Sequence, residues 1–169
     1  MMRCRLPFRD RSGAAAAEMA LVAPLLCAIL VGSVEVGSFF YNEHVLTKAV
    51  RDGARYAARQ SFTFYGCSGA PSGSVVANTR ALVRTALLSG GADRFTDIED
   101  GDITLETSCK TTQGGQSMVN GIYTGMATGA PIVTVKASVD YDPVIGAALG
   151  FSGAGLKLNA SQQAAVMGI

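Results

Sequence analysis

Residues 14–34 read AAAAEMALVAPLLCAILVGSV, and this run constrains the chain more than any other feature. Those 21 residues would span roughly 30 Å as a helix at about 1.5 Å per residue, the thickness of a bilayer's hydrocarbon core. A buried core helix of a soluble protein is the competing reading. The length of the run weighs against it, and so do the arginines beside it: Arg3, Arg5, Arg9 and Arg11 precede the run against one acid, Asp10. Average composition hides this asymmetry. The chain is 49% apolar and carries a net charge of +1, but its leader holds a surplus of three positive charges. Ten basic and twelve acidic residues remain beyond residue 13. Disorder driven by charge is excluded, and so is a large basic field of the kind that binds nucleic acid.

Three membrane readings follow. A cleaved secretory signal would use the small residues around Val31, Gly32 and Ser33, but Glu18 would place a costly carboxylate inside its apolar core. A lipoprotein signal would end at Cys27, yet bulky Pro24, Leu25 and Leu26 stand where small residues are needed. The third reading is a retained single-pass anchor. Here Gly13 is followed by four small residues and then by Glu18, so that Glu18 is the fifth residue counted from Ala14. The arrangement resembles a type IV prepilin site: a basic leader, a glycine before the cut, a glutamate five residues on, then an apolar helix containing a proline, Pro24. Glycine at the cut lets a protease approach the backbone closely. A carboxylate about one turn inside the membrane surface is expensive and normally functional. Its natural partner is the new α-amino group of a neighbouring subunit; a carboxylate that snorkels to the headgroups is the alternative. Lys48, Arg51, Arg55 and Arg59 balance the four leader arginines, but the leader lies closer to the span. The N-terminus is therefore expected in the cytoplasm and the remainder outside.

Helical spacing continues past the interfacial aromatics Phe39, Phe40 and Tyr41. Val45, Leu46, Ala49, Val50, Gly53, Tyr56 and Ala57 fall on one side, and Lys48, Arg51, Asp52, Arg55 and Arg59 on the other. One helix over residues 14–60 would be about 70 Å long. The arginine stripe reads as a solvated face with local acidic partners such as Asp52, in preference to an anion-binding patch.

The stretch RDRSGAAAAEMALVAPLLCAILVGSVEVGSFFYNEHVLTKAVRDGARYAAR resembles the start of TadE-like proteins. The residues that carry the resemblance are Glu18, Ala20, Leu21, Val22, Pro24, Leu25, Leu26, Glu35, Gly37, Ala49, Arg51, Asp52, Gly53, Ala54, Arg55 and Ala57. It implies a minor pilin or pseudopilin of the tight-adherence (Tad, or Flp) type IVb pilus system. A prepilin peptidase would cut it between Gly13 and Ala14, and its partners would be other pilins, the Tad assembly platform and membrane lipid. Ala14 stands where type IVa pilins commonly have phenylalanine.

Beyond the helix, glycines and Pro71 mark a loop over residues 62–73. A helix is expected over 75–88, capped by Ser72 or Ser74, with Val75, Thr79, Leu82, Val83 and Ala86 inward and Arg80 and Arg84 outward. The acidic residues of 97–102 make a solvated turn, since no glutamate closes them into a calcium loop. Strands are expected over 103–109 and 131–141, with a last strand carrying Leu156, Leu158 and Ala160. The glycine-rich stretches 113–129 and 143–155 read as connectors. The fold class is thus α+β, a long helix packed on a small antiparallel sheet, with a leader (1–13), a transmembrane helix (14–41), its amphipathic extension (42–60) and an extracytoplasmic head (61–169).

Of four cysteines, only Cys67 and Cys109 fall in the head, the number one disulfide needs; two free buried thiols are the alternative. No zinc-ligand spacing occurs. His44 is the single histidine, and no nucleophile motif, P-loop or dinucleotide fingerprint accompanies it. The chain is therefore expected to be a peptidase's substrate and not an enzyme, with no cofactor, no metal and no nucleic-acid partner. An uncleaved, membrane-anchored periplasmic binding or adhesion domain is the alternative function.

Overall fold

The computed structural model describes residues 12–126, 128–146 and 155–168. Residues 1–11 of the expected leader lie outside them, as do 147–154 of the second connector. Helix α1 (Ser12–Ala58) is 47 residues long and passes through Pro24, which has no N–H to offer the carbonyl of Ala20. Its two halves live in different surroundings. In the first half Leu21 is 79% exposed and Leu30 63% exposed, and no part of the most apolar window is covered by the rest of the protein. In the second half Leu46, Ala49, Val50, Ala54 and Ala57 are fully buried. Mean hydropathy reaches 2.2 in the bare half, which makes α1 long and apolar enough to cross a bilayer.

The buried half packs on a three-stranded antiparallel sheet and on a second helix. Strand β1 (Ile103–Lys110) pairs with β4 (Ala130–Asp140), and β4 pairs with β5 (Lys157–Ala165). Between β1 and β4 a two-residue-per-strand hairpin forms, β2 (Thr112–Gln113) with β3 (Gln116–Ser117), followed by a short 3-10 turn at Gly121–Tyr123. These elements fall in the stretch expected to be irregular; they are too short to leave a periodic signal. Gly129 enters β4 at φ +92, and any Cβ there would lie 2.5 Å from the Lys110 carbonyl oxygen.

Val133, Val135, Ala137, Val139 and Tyr141 turn inward from β4, matched by Ile103 and Leu105 from β1 and by Leu158 from β5. Fully burying a valine or leucine side chain contributes about 1.5–3 kcal/mol, so this layer is the main apolar support of the head. Ile132 and Thr134, on the opposite face of β4, are also buried, which alternation alone does not foretell.

Helix α2 (Val75–Thr85) is shorter than the 75–88 expected. Ala86 adopts the left-handed conformation and its N–H bonds the Leu82 carbonyl, closing the helix three residues early. Leu87 and Leu88 are consequently about half exposed, Ala86 is exposed and Leu82 is only partly buried. Val75, Thr79 and Val83 form the inward face. Ser74 occupies the N-cap without a side-chain bond to the helix. Arg80, expected outward, is partly buried and donates through Nε to the Ile103 carbonyl.

Two ties fix the direction of the sheet along α1. Near the bare half, the Tyr141 ring lies 5.2 Å from that of Phe39. At the far end, Met167 N donates to the Ala58 carbonyl and Val166 N to that of Pro131. The helix rises about 28 Å from Phe39 to Ala58, and β4 covers about 33 Å from Pro131 to Tyr141. The strands therefore run nearly along the helix axis, with β4 antiparallel and β1 and β5 parallel to α1.

Candidate functional site

Glu35 stands at the junction of the two halves of α1, and the fold converges on it. Tyr141 Oη donates to Glu35 Oε1 at 2.6 Å. Val144 N donates to the same oxygen at 3.1 Å, while Ile145 N and Gly146 N reach Oε2 at 2.9 and 3.3 Å. Three successive backbone N–H groups make a small anion-binding concavity, and a carboxylate fills it without further ions. Tyr141 is itself buried, and burial, followed by the neighbouring Glu35 carboxylate, pushes its hydroxyl above the ordinary tyrosine range. The phenol thus remains a donor. Phe39, one turn along the helix, packs edge-on against the same ring.

The carboxylate therefore couples the helix to the turn that follows β4, over a sequence separation of 106 to 111 residues. Replacing Glu35 by alanine should free residues 141–146. Amide exchange at Val144, Ile145 and Gly146 is expected to quicken by about tenfold or more, with the centre of β4 unaffected. Unchanged exchange at those three amides would show that the carboxylate does not hold the turn.

The second cluster lies higher on α1. Gly53 is a contact requirement: a Cβ there would sit 2.6 Å from Val83 Cγ2 and 3.2 Å from Thr79 Cγ2, so α2 can approach only a glycine. Arg51 and Arg55 are exposed, and Asp52 is partly buried. Among the described residues neither arginine pairs with Asp52 or with any other carboxylate, so the local acidic partners expected for the stripe are not found. Tyr56, beside them, accepts a bond from Asn78 Nδ2 at 2.9 Å, and Tyr65 Oη donates to the Ala57 carbonyl. Burial pushes the Tyr65 hydroxyl up to about 12.

The remaining sequence candidates lie elsewhere. Gly13, Ala14, Glu18 and Pro24 are exposed on the bare half of α1, and Gly37 is exposed near Glu35, where an added Cβ would meet nothing within 4 Å. His44 is exposed. Cys67 Sγ and Cys109 Sγ lie 2.04 Å apart, at bonding distance, and tie the 66–73 loop to β1, whose Thr107 N also donates to the Gly69 carbonyl at 2.7 Å. Cys27 is a free, exposed thiol on the bare half. Among the described residues, no three His, Cys, Asp or Glu side chains converge as metal ligands would.

These positions follow one order along α1: a small-residue start, a lone carboxylate, an apolar span, a bonded carboxylate, then an arginine-edged glycine contact. Residues 13–55 match the family of TadE-like proteins. No curated protein and no solved structure matches the chain. The TadE-like segment is almost coextensive with α1, taking in the whole bare half and most of the buried one. Within it, Glu35, Ala49, Gly53 and Ala54 face the chain's own head, whereas Glu18, Arg51 and Arg55 do not. Of the partners on the other side of the TadE-like contacts, Thr79, Val83 and Tyr141 are legible in the sequence as inward residues and the 144–146 turn is not, but no spacing rule couples any of them to Glu35 or Gly53.

Proposed function

We propose that the chain is a pilin-like structural or assembly subunit of a Tad (Flp) pilus system. The observation that carries this reading is the TadE-like match over 13–55 falling on a helix whose first half is bare and apolar and whose second half is built into a small α+β head. In this reading α1 anchors the subunit in the inner membrane, with the N-terminus cytoplasmic and the head on the outer side. A prepilin peptidase removes residues 1–13 by cutting between Gly13 and Ala14. Glu18 then pairs with the freed α-amino group of a neighbour and sets the axial stagger of packed helices. Other pilins and the Tad assembly platform are the partners, membrane lipid is the solvent for the bare half, and the head is braced by a Cys67–Cys109 bridge. The role is structural, with no reaction assigned to the chain and no cofactor.

Intact-mass measurement on the protein isolated from its native membrane tests the processing step. The expected mass is that of a chain beginning at Ala14. Retention of residues 1–13 would contradict it and leave an uncleaved, membrane-anchored binding or adhesion domain as the reading.

A further inference from the structure

The stripe of Lys48, Arg51, Arg55 and Arg59 is the part of α1 above the membrane that its own head does not use. All four side chains are exposed, and among the described residues none makes an ion pair or a hydrogen bond. Three cations elsewhere on the head are paired, while Arg94 and Lys110 make no ion pair among the described residues. Arg84 bonds both Asp93 and Asp100 at 2.8 Å, Lys136 bonds Glu106, and Lys157 bonds Asp140. Four cations against one partly buried acid, Asp52, leave a surplus of positive charge on one rigid face that favours an anionic partner.

Height decides which partner. With the membrane surface no higher than Glu35, where the head is bound to the helix, Arg55 stands about 30 Å and Arg59 about 36 Å above it on a straight helix. Both lie well beyond a physiological Debye length of about 8 Å, so anionic headgroups cannot hold the upper stripe. Nucleic acid is disfavoured by the excess of acids over bases past residue 13.

The chain carries the complementary surface itself. Between α2 and β1 lie Asp93, Asp97, Glu99, Asp100 and Asp102. Arg84 takes Asp93 and Asp100, which leaves Asp97 and Glu99 exposed; Asp102 is partly exposed and its Oδ2 accepts from Glu99 N at 2.8 Å. Ile103 pairs with Ala137 in the register of the sheet. Ala137 lies about 13 Å along β4 from Tyr141, which is level with Phe39. The acidic turn therefore stands opposite about residue 48 of α1, at the height of the lower stripe. It lies between α2 and β1, while Arg51 and Arg55 are on the side of α1 opposite Gly53, the residue that faces α2.

We propose that this stripe docks on the turn carrying Asp97, Glu99 and Asp102 of a second copy standing beside the first in the same membrane. The inference rests on the reading of the chain as an assembling subunit and names the surface that reading uses above the bilayer. Copies anchored by the same helix share orientation and, before any axial stagger is imposed by filament packing, height, so in the membrane a lateral shift brings the turn to the lower stripe. The contact is heterologous, each copy offering a stripe to one neighbour and a turn to another, and it propagates without closing on a two-fold axis.

Formaldehyde crosslinking of the full chain in intact membranes tests it. The wild type should give a ladder of oligomers. The double variants Arg51→Glu/Arg55→Glu and Asp97→Arg/Glu99→Arg should each lose the ladder by about tenfold or more when expressed alone. Co-expressed, the two should restore it, because each then offers the surface the other needs. Resistance of Cys67 and Cys109 to alkylation before reduction reports that each variant is folded. A wild-type ladder that survives the arginine reversal overturns the interface and leaves the pilin-like reading standing, and so does a lost ladder that co-expression fails to restore. A wild type that stays monomeric overturns both.

Discussion

Replacing both Cys67 and Cys109 by serine should lower the stability of the head by about 4 kcal/mol, the chain-entropy value for closing a loop of this length. The sequence separation is 42 residues, long enough for the closure to restrict the unfolded ensemble substantially. The loss should show as a lower urea midpoint in the full chain, followed by tyrosine signals since the protein has no tryptophan. Its structural expression should be local first. The 66–73 loop lies along the outer edge of β1, and among the described residues the hydrogen bond from Thr107 N to the Gly69 carbonyl is what joins them besides the bridge. An exposed strand edge is a template for unwanted pairing, so the variant should also aggregate more readily. A midpoint unchanged by the substitutions, or free alkylation of both thiols in the unreduced protein, would show that the bridge does not brace the head.

A Glu18→Ala substitution is expected to abolish incorporation into filaments while leaving membrane insertion intact. Removing a carboxylate from the span relieves part of a cost that reaches about 2.5–3.5 kcal/mol only at the bilayer centre, so the variant should enter the membrane at least as well as the wild type. What it lacks is the anion that meets the neighbour's α-amino group. Glu18 is exposed and has no partner of its own among the described residues, which suits a contact made only on assembly. The measurement is the ratio of subunit in sheared surface filaments to subunit in membranes. A variant blocked at the Gly13 cut should show the same defect through the other member of the pair, since it never generates the amine. Normal incorporation of Glu18→Ala would refute the alignment role.

The long helix was legible because its signals are local. An apolar run, then apolar residues every three or four positions from Val45 to Ala57, require nothing from the rest of the chain. The strands were legible for the same reason, and β4 most clearly, with Val133, Val135, Ala137 and Val139 alternating with polar neighbours. What could not be read was pairing across distance. Glu35 stood out as part of a motif, yet its partners Tyr141 and the 144–146 turn are fixed only by the antiparallel return of β4 along α1. Gly53 likewise marked itself by type, while the reason for it, the Val83 methyl, belongs to a helix 30 residues on. The early end of α2 at Ala86 was hidden because alanine rarely adopts a positive φ, and nothing in the composition of 82–88 signals a stop. The arginine stripe lies on the polar side, as its spacing predicts, but among the described residues no acid pairs with it.

The strands lie nearly along α1, and the head is fastened to that helix at both ends, through Glu35 below and the Ala58 carbonyl above. Tension on the subunit would be applied along the helix axis, the direction in which a filament is pulled. Antiparallel ladder bonds run perpendicular to their strands. The load would therefore act sideways on the whole β4 ladder at once, as in a lap joint, and could not peel it open bond by bond from one end. A sheet set across the helix would be opened sequentially by the same force.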